Sequence, residues 1–193
     1  MSALVTAEQY EAWSGRSVTN ADQMELMLES ASDMVRDYCG WKIAPSAEET
    51  LIVSGQGSPY LSLPTTYITD VSSVSVKAYW DGVNHTLVEL DPLTYPYDFH
   101  EFGAIEFIPT NYGDTWVFPI GVRNVSVTLT HGYENTPGAI VGFICELVSR
   151  RLSNPGGNLT MQQVGQITLQ FAQGAMPTSQ WDGLEKYRVD PIR

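Results

Sequence analysis

The chain is poor in charge, and what charge it has is mostly of one sign. Only 17% of its 193 residues are Asp, Glu, Lys or Arg, with 22 acidic side chains against 10 basic ones. A grip on nucleic acid needs clustered Lys and Arg to neutralise phosphates, and a formal charge of −12 works against it. The longest basic run is Arg150-Arg151, which suits the carbonyl end of a helix. Cysteine is nearly absent. Cys39 and Cys145 form no CxxC pair, so no metal or redox motif is present. Two buried thiols are expected, with a Cys39–Cys145 bridge as the alternative. No run approaches the ~20 apolar residues of a membrane-spanning helix, so no membrane partner is expected. Met1 to Leu4 carries neither a basic nor an apolar leader region, so no signal peptide is expected. The sequons at Asn84, Asn124 and Asn158 then read as chance matches in a Ser/Thr-rich chain.

Catalytic and cofactor motifs are missing too. There is no GxxxxGK[ST], no GxGxxG and no GxSxG. His85, His100 and His131 are isolated, each without a second His, a Cys or paired carboxylates at ligand spacing. Neither a metal nor a cofactor is expected. The remaining catalytic material is carboxylate: Glu89, Asp91, Asp98, Glu101 and Glu106, near Trp80, Tyr95, Tyr97 and Phe99. Aromatics beside paired acids suit a glycosidase or glycan cleft. Solvated edge charge and packed aromatics are the plainer expectation.

What is present is pattern. Hydrophobic residues make up 43% of the chain, enough for one domain with a useful core. Residues 1–46 read as helical. Glu8–Ser14 is a short helix. A longer one is capped by Thr19 or Asn20, closed by Gly40, and striped by Met24, Leu28, Ala31, Val35 and Tyr38. Met27 and Met34 broaden that stripe; core filling is expected, an adaptable partner surface the alternative. Residues 47–135 read as β. Strands are expected at Leu51–Val53, Tyr60–Leu63, Val71–Trp80, Thr86–Leu90, Ala104–Ile108 and Val125–Thr130, with Asp81-Gly82 as a turn and Asp91-Pro92 as a break. Serial short strands suit a small sandwich or open barrel. Residues 136–173 give a helix and a strand. Thr136 caps, Pro137 opens, and Ile140, Val141, Ile144, Leu147, Val148 and Leu152 form the apolar face. A strand-like run follows at Val164, Ile167, Leu169 and Phe171, then a linker at Gln173–Pro177 and a short helix from Thr178 to Tyr187.

Four passages together resemble a known family. They are Leu4–Gly15 (LVTAEQYEAWSG); Val35–Trp41 (VRDYCGW); Leu61–Pro64 (LSLP) with Ile68–Val76 (ITDVSSVSV); and Val127–Tyr133 (VTLTHGY), leading through Thr136-Pro137 to the helix ending Glu146–Gly157 (ELVSRRLSNPGG). In that order and spacing the chain resembles the head-to-tail adaptor proteins, or head-tail connectors, of long-tailed bacteriophages, particularly those infecting actinobacteria. It departs from them in the long aromatic stretch Tyr79–Thr115 and in Val189–Arg193 beyond the short last helix.

The resemblance implies an α+β fold over residues 1–193. A small helical bundle, the long N-terminal helix with Pro137–Leu152, would carry an inserted antiparallel β-rich region and a C-terminal docking segment. It implies a non-enzymatic virion protein, made in the host bacterial cytoplasm. Copies of itself, twelve in number, would form a ring in the neck beneath the portal protein. The ring would carry a tail-side neck or stopper protein and leave a channel in which DNA is passing cargo. Residues 174–193 would dock on the portal through Trp181, Leu184, Tyr187 and Arg188 and be poorly ordered in the free subunit; the alternative is that the short helix packs back onto its own domain. A channel face that is acidic or neutral follows from the charge balance, because a conduit must let DNA slide. Without a coiled-coil seam or continuous apolar patch outside the two main helices, the free chain is expected to be monomeric. The rival from the residues alone is a β-rich carbohydrate- or receptor-binding module using Trp80, Tyr95, Tyr97 and Trp116. A carboxylate hydrolase is a third class.

Overall fold

Two self-contained units are visible in the computed structural model: Met1–Gly40 with Asn135–Arg188, and Trp41–Glu134 with Val189–Arg193. The structure describes residues 3–80, 84–109, 116–153, 161–164, 167–170 and 181–189, with backbone alone for 78–80, 84–87, 161–164 and 167–170.

The first unit is helical. Helix α1 (Ala7–Ser14) starts with a capping box: the Thr6 hydroxyl accepts the Gln9 N–H at 3.2 Å, and the Gln9 side chain accepts the Thr6 N–H at 3.0 Å. Helix α2 (Ala21–Cys39) is capped by Asn20, whose Oδ1 accepts the Gln23 N–H at 3.1 Å, and closed by Gly40 at φ 78°. Only a residue without Cβ takes that left-handed turn cheaply. Met24, Leu28, Ala31 and Val35 are buried, as the stripe predicts, joined by Ser32 and Cys39; Tyr38 is half-buried. Met34 lies outside the stripe and is exposed.

Helix α3 (Gly138–Ser153) follows Pro137, whose carbonyl accepts the N–H groups of Ile140 and Val141 at 2.9 and 3.0 Å. It buries Ile140, Phe143, Ile144, Cys145, Leu147 and Val148. Val141 is only half-buried and Leu152 is exposed, so the apolar face is narrower at its ends than the pattern suggests. The Thr136 hydroxyl, expected as a cap, instead donates to the Leu4 carbonyl at 2.7 Å. The Ser32 hydroxyl accepts the Leu4 N–H at 2.9 Å and donates to the Leu28 carbonyl at 2.6 Å. Both backbone groups of Leu4 are thereby satisfied, which lets Leu4 and Val5 enter the core. Arg151 does more than meet the helix dipole: it bonds the Ser30 hydroxyl at 3.2 Å and the Met34 sulfur at 3.0 Å on α2. Both cysteines are buried free thiols.

The second unit is antiparallel β. Its strands are β1 (Ala47–Gly55), β2 (Tyr60–Ser62), β3 (Ile68–Trp80), β4 (Asn84–Glu89), β5 (Tyr97–His100), β6 (Ala104–Phe107) and β7 (Gly121–His131). One sheet runs β1-β7-β3-β4 and the other β2-β6-β5. Val74, Val125, Val127 and Leu129 of the first share one core with Leu61, Ile105 and Phe107 of the second and with Phe118. Of the two arrangements expected, a small sandwich or an open barrel, two separate sheets over one core match the sandwich, and the β zone has a core of its own. β1 is longer than expected because Glu48 and Thr50 hide its alternation; Thr50 pairs with Thr128 across the strands at 3.0 Å. β5 was not isolated by pattern, being four residues long. Asn124, a chance sequon, is fully buried in β7. The Asp81-Gly82 turn lies outside the described residues, between paired Trp80 and Asn84.

After α3, the single strand expected around Val164–Leu169 is a hairpin, β8 (Met161–Val164) with β9 (Ile167–Gln170). Phe171 and the Gln173–Pro177 linker lie outside the described residues. The last helix is a 3₁₀ turn, Asp182–Tyr187, following Trp181; Thr178 to Gln180 lie outside the described residues.

Ile144 is fully buried mid-helix. Ile144→Asp should cost about 4 kcal/mol or more, a large part of the ~5–15 kcal/mol that holds a domain together. A chemical melt followed by far-ultraviolet circular dichroism checks this; a native midpoint would show that the face is not core.

Candidate functional site

The acidic and aromatic residues singled out as chemistry lie in the sheets and in the turns beside them. Glu106 faces Tyr60 and Asp98 across the order β2-β6-β5. Its carboxylate meets His100 Nε2 at 3.2 Å, and the Tyr60 hydroxyl and His100 together hold its pKa below the ordinary carboxylate range. The same bond raises the pKa of Tyr60. His100 stacks on Phe102, centroids 5.0 Å apart. Asp98 accepts the N–H of Phe99 at 2.8 Å. Asp91 closes the turn after β4: it accepts the Leu93 N–H at 3.1 Å and the Thr94 hydroxyl at 2.7 Å, and the Thr94 bond leads in lowering its pKa. An acid with a lowered pKa is a poor proton donor near neutrality. Glu89 and Glu101 are exposed.

His131 is buried between Thr65 Oγ1 at 3.1 Å and Glu49 Oε2 at 3.1 Å, pinning β7 to the edge strand β1 and to the Thr65 turn. The side chain of His85 lies outside the described residues. Among the described residues no group of three or more His, Cys, Asp or Glu gathers as a metal site, and no helix is long and apolar enough to cross a membrane.

The aromatics named for a glycan platform are taken up in packing. Tyr95 meets Trp116 edge-on at 4.7 Å, and Tyr95, Tyr97 and Phe99 lean on the sheet core. A sugar-stacking surface needs open ring faces; these three rings are half-buried, while Trp116 stays exposed. The Trp80 side chain lies outside the described residues.

The C-terminal residues do come together. Trp181 sits between two rings of its own unit, Tyr38 of α2 and Phe143 of α3, each with centroids 4.7 Å away. The Tyr38 hydroxyl donates to Glu185 at 2.8 Å, and that bond leads in raising its pKa. The Arg188 guanidinium lies 5.6 Å from the Tyr38 ring centre and 3.4 Å from Glu185. Leu184 and Tyr187 are buried. Among the described residues of this segment the chain's own helices supply an apolar seat, the alternative to a tail ordered by a partner: the 3₁₀ turn presents Leu184 and Tyr187 to them. Trp181 stays half-buried and Arg188 exposed. Pattern missed the seat because Tyr38 and Phe143 lie far from Trp181 in sequence.

No protein-family model matches the sequence, and no curated protein matches it. Solved structures match in shape. One chain of the neck of an empty GTA particle, computed with C6 symmetry, is 12% identical with a TM-score of 0.57, over 97% of this chain and 90% of that one. A chain of the neck of a native GTA particle, computed with C12 symmetry, is 14% identical at 0.55, over 97% and 91%. A chain of the virion of a native gene transfer agent (GTA) particle is 13% identical at 0.53, over 97% and 90%. At these identities the likeness is one of fold, and it runs through both units.

Two outcomes follow. Trp181→Ala should lower stability by about 2 kcal/mol, less than a fully buried Trp because one side is open; a lowered urea midpoint at unchanged slope checks it. Burial pushes the Cys39 thiol up from 9.0 to about 11. The folded state thus holds the proton more tightly than the unfolded one. The stability this gives, ~2–3 kcal/mol, is complete below about pH 9 and is lost as pH rises towards 11. Cys39→Ala should show a shallower decline across that window in denaturant titrations; an unchanged slope would remove the thiol as the cause.

Proposed function

We propose that the chain is a structural virion protein of a bacteriophage neck, without enzymatic activity. Twelve copies form a ring that joins the portal protein to the tail-side stopper and leaves a channel for DNA. The observation that carries this is the match over 97% of the chain to chains of particle necks, one of them reconstructed with C12 symmetry. The residue chemistry supports it. Of the candidate carboxylates, Asp91 is engaged in a turn and Glu106 in a cross-strand cluster, and the low share of charge leaves surfaces that bury without desolvating ions. Ten Tyr and five Trp suit protein interfaces. A channel face with few cations lets DNA slide instead of trapping it by counterion release.

The C-terminal turn is the proposed portal contact. Leu184 and Tyr187 set it on the helical unit, while the open side of Trp181 and the Arg188 guanidinium face a partner. Such a knuckle is pre-formed, so docking costs little ordering entropy.

The test is cryo-electron microscopy of portal-bearing heads incubated with the purified chain. A twelve-membered ring beneath the portal is expected. Heads that stay bare at saturating protein would sink the proposal.

A further inference from the structure

Ile120 and Val122 are 79% and 81% exposed, although the backbone that carries them is tied down. The buried Asn124 accepts the Gly55 N–H at 2.8 Å and donates to the Pro119 carbonyl at 2.6 Å. A Cβ on Gly55 would collide with that carbonyl, and one on Gly121 would lie 2.8 Å from the Asn124 amide nitrogen. The β1–β7 register shifts between Val53 and Gly55. Opposite it Arg123 takes φ 49°, and its N–H bonds the Ser54 hydroxyl at 3.0 Å. Bulges and left-handed residues re-aim neighbouring side chains and persist only where the surroundings enforce them. Here the enforced result is a rigid tip holding two β-branched side chains and an exposed cation in solvent. Ile120 lies over Gly57, where a Cβ would come within 2.9 Å of its side chain, yet most of its surface stays open.

The helical unit carries a surface of opposite kind. A groove of about 360 Å³ runs between the start of α1 and the start of α2, lined by Ala3, Val5, Ala7, Ala21, Leu28 and Glu25. Its floor is apolar and its side is acidic. Asp22 follows directly on Ala21, and Leu26, beside Glu25, is 68% exposed.

A cyclic ring is built from heterologous contacts, so each copy must carry two unlike patches that fit one another. An apolar tip with a cation and an apolar groove with one carboxylate, Glu25, are such a pair. We propose that the Ile120–Arg123 tip of one copy seats in the α1–α2 groove of the next. Ile120 and Val122 meet the apolar floor, and the Arg123 guanidinium meets Glu25. The occupant is a second copy of this chain because the tip supplies both the apolar side chains and the positive charge that the groove lacks. The contact rests on the ring proposed above.

Charge reversal on portal-bearing heads tests it. Arg123→Asp is the suitable reversal, since Asp tolerates left-handed backbone. It is compared with Glu25→Arg, with the double variant and with the wild type. Ile120→Ser, at an exposed site, is a fifth arm that leaves the charge alone. Ring copies per head are counted by cryo-electron microscopy, and melts confirm that each variant folds. Each single change should weaken ring occupancy about tenfold, the equivalent of ~1.4 kcal/mol per contact, and the double reversal should restore it. Single reversals that assemble like the wild type overturn the contact and leave the neck role standing. A loss by Arg123→Asp that Glu25→Arg does not rescue places the tip against a different protein and overturns it too. A wild-type chain that forms no ring overturns the neck role and the contact together.

Discussion

Strand β7 is hydrogen-bonded along both edges, to β1 and to β3, and Val125, Val127 and Leu129 along it are fully buried. The β unit depends on that double pairing. β1 and β3 have no other route into one sheet, and the second sheet, β2-β6-β5, gains its buried face from the side chains that β7 and Val74 present. A slip of one residue would turn all of these to solvent, so register is strongly specified here. Its two ends carry the polar fixings. Asn124 locks the start against Gly55 and Pro119, and His131 locks the end between Glu49 and Thr65. Beyond His131, Tyr133 stacks on Tyr67 at 4.4 Å and donates its N–H to the Ile43 carbonyl at 2.7 Å.

The polar groups in both units serve position more than chemistry. Ser32 and Thr136 satisfy the Leu4 backbone, Asp91 shapes a turn, and Glu106 is held by Tyr60 and His100. The scarcity of Lys and Arg leaves few groups that could grip phosphates.

Much of the fold was legible because local rules and tertiary needs agree. The cap at Asn20, the stop at Gly40, the opening Pro137 and the alternation Val125-Val127-Leu129 each announce an element that the structure contains. Where pattern fell short, a competing effect explains it. β1 is an edge strand whose first half is polar, at Glu48, Glu49 and Thr50, so only its middle reads as a strand. β5 is too short for periodicity to register. The run after α3 carries strand residues on both sides of a two-residue break, which reads as continuous when the chain is scanned without pairing partners.

The candidate surfaces divide along the same line. Sequence alone established the class of molecule: α+β, acidic, sparing in charge, without a nucleophile–base or metal-ligand pattern. These are properties of composition and of spacing along the chain, where neighbours in sequence carry the signal. Whether a given side chain is spent or available was decided only in three dimensions. Trp181, Leu184 and Tyr187 look like a free anchor until Tyr38 and Phe143, distant in sequence, pack on Trp181 while Leu184 and Tyr187 are buried. Ile120 and Val122 look like ordinary strand residues until a bulge, a left-handed Arg123 and the Asn124 clasp turn them outward. Exposure depends on which remote segment arrives to cover a residue, and long-range packing alone determines that.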